Sequence, residues 1–237
     1  MKFPKIPILL YHSISNDLNS DSLNLLDFED QISFLHKNKF TSVNFNEVNS
    51  ISKKQIVITF DDGYKDIVTN VLPILKKYEF KATCFVVSNF LGKYNDWDLK
   101  NSNYKKKELM NKNDVFEWIN NGMTIGSHSH NHKDLTNLKD DELKNEIYHS
   151  KEYLEDLFSL PIRDFCYPFG KINYLAYKYV KKNYDNGYTT NRSRFIYNKH
   201  DPHLLPRIDM GKKLSNIKIF MKLNTFYEDI KFVKNEF

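Results

Sequence analysis

The chain of 237 residues holds only two cysteines, Cys84 and Cys166, each inside an apolar run and neither in a Cys-x-x-Cys pair. That excludes a disulfide framework or a zinc knuckle and leaves two buried structural thiols as the expectation. No stretch approaches the ~20 uninterrupted apolar residues of a membrane-spanning helix. The opening run from Ile6 to Tyr11, broken by Pro7, is too short for a signal-peptide core. A soluble, cytoplasmic protein is therefore expected, unless a leader has been removed. Clustered charge is also scarce. The formal charge of +5 comes from 35 basic and 30 acidic residues, and the tightest clusters, Lys105-Lys106-Lys107 and Lys181-Lys182, are short. They read as solvated surface and argue against a nucleic-acid partner. A weak peripheral attraction to anionic lipids or glycans stays open. Repeats, low-complexity tracts and linkers are missing too, so residues 1–237 are expected to form one domain, of a length that α/β barrels reach routinely.

What the chain does have is core material, with 18 Phe and 15 Tyr, and an alternation of strand and helix patterns. Strands are expected at Ile6–Tyr11, 40–45, 56–60, 81–87, 123–126, 165–167 and 186–190. Helices are expected at 28–37 with Asp27 as the cap, at 66–78, 108–120, 140–158 and 174–182, and over 214–235. Residues 204–209 are reached through a polar loop and are given no element. This alternation implies a parallel α/β architecture. A barrel of that kind gathers its chemistry at the C-terminal ends of its strands. His12, Asp61, Asp62 and His128 all fall at such ends.

The run Ile56-Val57-Ile58-Thr59-Phe60 stops at Asp61-Asp62-Gly63. Burying either carboxylate uncompensated is costly, so a strand ending this way expects a cation or a proton nearby. Neighbouring strand side chains face opposite ways, so one aspartate can bind a metal while the other stays free as a base. The same residues would also suit an ordinary turn. About sixty-five residues on comes Gly126-Ser127-His128-Ser129-His130-Asn131-His132. A spacing of four puts His128 and His132 on one side of a helical turn, where they can share a metal, with His130 pointing elsewhere. A carboxylate added to them makes the three-donor set that a catalytic zinc favours.

The segments Thr59-Phe60-Asp61-Asp62-Gly63-Tyr64 and His128-Ser129-His130-Asn131-His132 resemble the first two motifs of the polysaccharide deacetylases, the NodB homology domain of carbohydrate esterase family 4. Leu10-Tyr11-His12-Ser13-Ile14, Phe90-Leu91-Gly92 with Trp97-Asp98, Tyr167-Pro168-Phe169-Gly170 and Leu205-Pro206-Arg207-Ile208-Asp209 extend the likeness to the short bacterial members. The resemblance implies a distorted (β/α) barrel of about seven parallel strands and a divalent metal, usually Zn2+. It implies Asp61 as general base, and Asp62, His128 and His132 as metal ligands. It also implies a backbone N–H of Phe169 or Tyr167 as oxyanion donor. The implied reaction removes N-acetyl groups from amino sugars of a cell-surface polysaccharide or its precursor.

Two departures from the family pattern matter. The arginine that orients the base just before the Pro-aromatic-Gly turn is replaced by Cys166 or Tyr167, and Arg207 is taken as its substitute. The late histidine that serves as general acid is missing, and His12, then His203, are the candidates for it. Trp97 is a candidate sugar-stacking wall, or else an aromatic packed under its loop. Alternatives to the deacetylase are a deformylase or other amidohydrolase acting on a small or lipid-linked sugar amide, and an inactive glycan-binding pseudoenzyme.

Overall fold

The computed structural model describes residues 5–16, 22–48, 54–99, 103–197 and 199–233. Seven strands run parallel in chain order: β1 Ile8–Tyr11, β2 Gln55–Phe60, β3 Thr83–Val86, β4 Thr124–Ser127, β5 Asp164–Cys166, β6 Asn186–Arg192 and β7 Leu205–Asp209. Each pairs with the next, and β7 pairs back onto β1 (Ile208 beside Leu9), so the sheet closes into a barrel. All six residues of β2 are buried, as befits a parallel strand covered on both faces. Alternation sorts them. Ile56, Ile58 and Phe60 join the outer core with Phe28, Ile32 and Leu35 of helix α1, Leu25–Lys37. Val57 faces the barrel interior, which it fills with Ile8, Phe85, Cys166, Tyr188 and Leu205, while Ile6 and Phe195 plug the foot. Thr59 and Asp61 continue the inward parity of Val57, and Arg207 that of Leu205.

The expected helices form with shifted boundaries. Helix α1 is capped by Asn24, whose side chain accepts from the Leu26 N–H, and Asp27 lies in the first turn instead of capping it. The 66–78 segment divides into a wide π turn, Ile67–Val71, and α2, Leu72–Lys77, with Pro73 tolerated where the new helix begins. Helix α3 starts only at Lys112, under a capping box from Asn111 and Asp114, and ends at Asn120. The 140–158 run consists of α4 (Asp140–Lys144), a π turn (Asn145–His149) and α5 (Ser150–Phe158). Helices α6 (Tyr174–Asn183) and α7 (Asn216–Asn224) complete the outer layer, and among the described residues beyond α7 there is one 3₁₀ turn, Asp229–Lys231. Residues 234–235 of the expected last helix lie outside the described residues. The 40–45 strand shrinks to Thr41–Ser42 on the outer edge of β2.

The closing strand β7 is the element that sequence patterning leaves unassigned. Pro206 sits in its middle, where a ladder N–H is missing. The register against β6 slips there, with Tyr188 opposite Leu205 but Arg192 opposite Arg207. An irregular ladder is where a sheet tolerates proline.

Candidate active site

At the upper, C-terminal end of the barrel the residues singled out in the sequence converge. Asp61, 3% exposed, is gripped side-on by Arg207: Nη1 donates to Oδ1 and Nη2 to Oδ2, both at 2.7 Å. Arg207 is itself fixed, because its Nε donates to the Thr189 carbonyl (2.8 Å) and its Nη1 to Thr59 Oγ1 (3.1 Å). Burial alone would raise the Asp61 pKa, but the guanidinium outweighs it and holds the carboxyl below its ordinary range. Cys166 completes the ring of contacts. Its Sγ accepts from Arg207 Nη2 at 3.1 Å and donates to Asp61 Oδ2 at 3.4 Å. Burial pushes this thiol up, which keeps it a neutral donor.

Asp62 faces the other way. Its Oδ1 lies 3.4 Å from His128 Nε2 and 3.2 Å from His132 Nε2, and the three ligand atoms fall within 4.8 Å of one another. Bonds of 2.0–2.1 Å to a tetrahedral ion would set neighbouring donors about 3.3 Å apart, so these side chains fit a zinc-type site. His128 Nδ1 donates to the Cys166 carbonyl at 2.8 Å, which orients the ring so that Nε2 is aimed at Asp62 and is the nitrogen open to a metal. Burial lowers the pKa of His132, and a neutral imidazole is the ligand form. His130 is turned away, with Nδ1 2.8 Å from Ser88 Oγ.

The two imidazoles do not meet on a helical turn. Residues 128–134 form a loop in which Ser129 (φ 65°) and His132 (φ 55°) take left-handed conformations, as do Asp62 (φ 71°) and Phe169 (φ 58°). Non-glycine residues adopt such angles at a cost and mostly where surrounding structure imposes them. Between Ser129 and His132 the loop is braced by Glu146. The π turn carries this fully buried carboxylate under the loop, where it accepts from the N–H groups of His130 (3.1 Å) and Asn131 (2.7 Å) and from Asn131 Nδ2 (2.8 Å). Glu146 was not legible in the sequence, since it reads there as one more charge on a charged helix.

A cavity of about 80 Å³ joins these groups, lined by His12, Asp61, Asp62, Asp98, Tyr104, His128, His132, Tyr167, Phe169, Gly170 and Thr190. His12 Nε2 stands 4.0 Å from Asp61 Oδ2. His203 is elsewhere, bonded to Asp201 and the Tyr184 carbonyl beside a separate cavity at the barrel foot, so it drops out as a candidate acid. Tyr167 also fails as an oxyanion donor, because its N–H donates to Tyr188 O (3.1 Å) and its hydroxyl to His203 O (3.2 Å). Among the backbone bonds of the described residues none uses the Phe169 N–H. Phe169 keeps its unusual φ next to Gly170, where an added Cβ would lie 1.9 Å from Thr190 Oγ1. Trp97 is no open platform. It stacks on His132 with ring centroids 4.4 Å apart and packs edge-on against Phe90 at 5.0 Å. Asp98 and Tyr104 reach the cavity on a long segment held by the buried Asn95, whose side chain bonds Asp98 Oδ2, the Lys105 carbonyl and the Lys107 N–H.

Comparison with known proteins bears on the family and the fold. YxkH of Bacillus subtilis, assigned to the polysaccharide deacetylases, is 30% identical over 215 residues, covering 85% of this chain and 72% of its own length. The poly-beta-1,6-N-acetyl-D-glucosamine N-deacetylase of Staphylococcus aureus is 26% identical over 208 residues, covering 84% of this chain and 71% of the relative. Among solved structures, the deacetylase PplD of Streptococcus pyogenes, in complex with acetate, superposes with a TM-score of 0.81 at 25% identity, covering 94% of this chain and 99% of that one. A polysaccharide deacetylase of Bacillus cereus gives the same TM-score of 0.81 at 22% identity, which speaks to the fold. The family model described as "Polysaccharide deacetylase" matches residues 49–190, from the strand that ends in Asp61-Asp62 to the strand beside Arg207, and the chain belongs to that family.

Proposed function

We propose that the chain is a divalent-metal-dependent hydrolase that removes N-acetyl groups from amino sugars of a cell-surface polysaccharide or its precursor, with zinc as the ion. One observation carries the reading. A carboxylate kept ionised by a two-pronged guanidinium stands next to a second carboxylate that shares its Oδ1 with two imidazoles, and both open on one small cavity. A pure binding module has no evident use for the first of these. At about 80 Å³ the cavity holds roughly two or three waters' worth of volume, enough for an acyl group and a water, while the sugar ring stays outside.

Asp62, His128 and His132 would hold the ion, which when bound polarises a carbonyl and makes water more acidic. Asp61 accepts the proton that water gives up as it attacks the acetamide carbon. Arg207 keeps Asp61 charged and fixes the direction of its lone pairs. The Phe169 N–H is the donor assigned to the developing oxyanion. The C–N bond then breaks, the amine nitrogen takes a proton, and acetate and the free amino sugar leave. His12, at the rim and 4.0 Å from Asp61, is the group assigned to deliver that proton.

Acetate release from oligomers of β-1,6-linked N-acetylglucosamine tests this. Release that a chelator abolishes and zinc restores is expected. Zinc-loaded protein that frees no acetate from any N-acetylated amino-sugar oligomer overturns the reading, and faster release of formate from N-formyl analogues would move the assignment to a deformylase.

A further inference from the structure

The two imidazoles of the candidate metal centre are oriented by different means. His128 is fixed in the ordinary way, through its second ring nitrogen on the Cys166 carbonyl. His132 is not. Its Nδ1 is buried and has no hydrogen-bond partner among the described residues. Rings take the place of that bond. Trp97 lies nearly parallel to the imidazole, 26° between planes at 4.4 Å, and Phe169 meets it edge-on from a centroid 4.6 Å away. Trp97 is in turn held edge-on by Phe90, and its Nε1 is buried and also without a partner among the described residues. Nothing polar therefore explains the position of this tryptophan. What it offers His132 is its π face.

We propose that Trp97 is a positioning residue for the metal ligand His132, doing by ring stacking what a hydrogen bond does for His128. An imidazole that donates its Nε2 lone pair to a cation takes on positive charge, and an indole face attracts positive charge more strongly than any other side-chain ring. The stack thus does two things. It stops the imidazole from rotating about its Cβ–Cγ bond, and it favours the metal-loaded ring over the free one. Asp62 meets the ring only through Nε2, so with Nδ1 unpartnered the stack supplies the second point of restraint. A second consequence is optical. The chain has two tryptophans, and the other, Trp118, is packed on Phe60 in the core with its Nε1 donating to Thr124 O. Trp97 should report loading of the site by a change in its fluorescence.

This inference rests on the metal centre of the proposed function, and the test separates the two. The full chain, stripped of metal, is titrated with zinc chloride against a chromogenic chelator, with indole emission followed in parallel. Wild type should bind with a stepwise change in emission. Trp97→Phe keeps a ring and should bind within about threefold of wild type while losing the emission change. Trp97→Leu keeps bulk without a π face and should bind about 10- to 100-fold more weakly, the usual range for a lost orienting partner. Trp97→Ala should lose at least as much. Because a purely structural tryptophan would lower the melting temperature of the metal-free chain without moving zinc affinity, the melt of each metal-free variant is recorded too. Trp97→Leu binding zinc as tightly as wild type overturns the inference. Wild type and Trp97→Leu both failing to bind, with His132→Ala no different, instead overturns the metal centre itself.

Discussion

Two buried carboxylates stand at opposite ends of the same barrel, and their surroundings differ in one respect. Asp61, at the mouth, is 3% exposed and faces the fork of Arg207. Asp164, at the foot, is 6% exposed and faces a neutral amide, with Asn186 Nδ2 donating to its Oδ1 at 2.7 Å. The neighbouring Arg163 turns its guanidinium to Asp185 instead, at 2.9 Å. The pKa values part accordingly: burial pushes Asp164 up to about 6, whereas Arg207 overcomes burial and holds Asp61 below its usual range. Burial makes a carboxylate expensive, and the partner decides whether it is a base or a proton store. Cavity size teaches the same lesson. The foot opens on about 680 Å³ lined by Lys181, Asp201 and His203 among others, yet it gathers no metal-type cluster among the described residues. The mouth, at about 80 Å³, holds all the buried charge that chemistry needs.

The comparison can be broken most severely at Asp61. Asp61→Asn keeps the shape and removes the base, and acetate release should fall by about 10³-fold or more, at the upper end for lost general-base catalysis. A fall of less than tenfold would show that Asp61 is not the proton acceptor. Arg207→Met turns Asp61 into a carboxylate like Asp164, buried without a cation. Loss of one partner of a buried pair costs about 3–5 kcal/mol, read by denaturant melts, and the acid limb of the rate profile should move to higher pH because the strongest influence opposing burial is gone. An unmoved limb would detach Arg207 from the base.

The same logic at the foot gives the opposite sign. Asp164 has a folded pKa of about 6, above its unfolded 3.8. Its favourable contribution is therefore complete below about pH 4 and is lost as pH rises through 6, amounting to about 3 kcal/mol at neutral pH. Asp164→Asn should accordingly raise stability at pH 7 and match wild type near pH 4, and melts across that range decide it. Equal melts at pH 7 would mean that Asp164 is not destabilised by its charge. The smallest effect belongs to His12→Gln, with turnover lowered roughly 10- to 100-fold. Unchanged turnover would take the acid role away from His12.

Much of the mouth was legible because it is written locally. A buried strand that ends in Asp61-Asp62-Gly63, and two histidines four apart after another strand, announce their chemistry within a few residues. Arg207 could be named because the family arginine was missing and a charge near the last strand was available to replace it. What stayed illegible depends on distant partners. Pro206 masks β7, because proline in a short apolar run reads as a loop until the neighbouring strand slips to receive it. Glu146 is invisible until a π turn rotates it under the histidine loop. Asp98 and Tyr104 come to the cavity through contacts distant in the chain, Asp98 among them bonded by Tyr64 and Asn95, and Trp97 read equally well as a sugar platform or as packing.

Four non-glycine residues at the mouth, Asp62, Ser129, His132 and Phe169, hold left-handed backbones. Each is a reservoir of about 1–3 kcal/mol. A laboratory selection for heat resistance would find these positions early, since glycine there relaxes the chain. Glycine at these four should make the chain harder to melt and poorer at its work, whereas glycine at the left-handed Lys39, Lys54, Glu79 and Ser159, away from the mouth, should harden it without that loss.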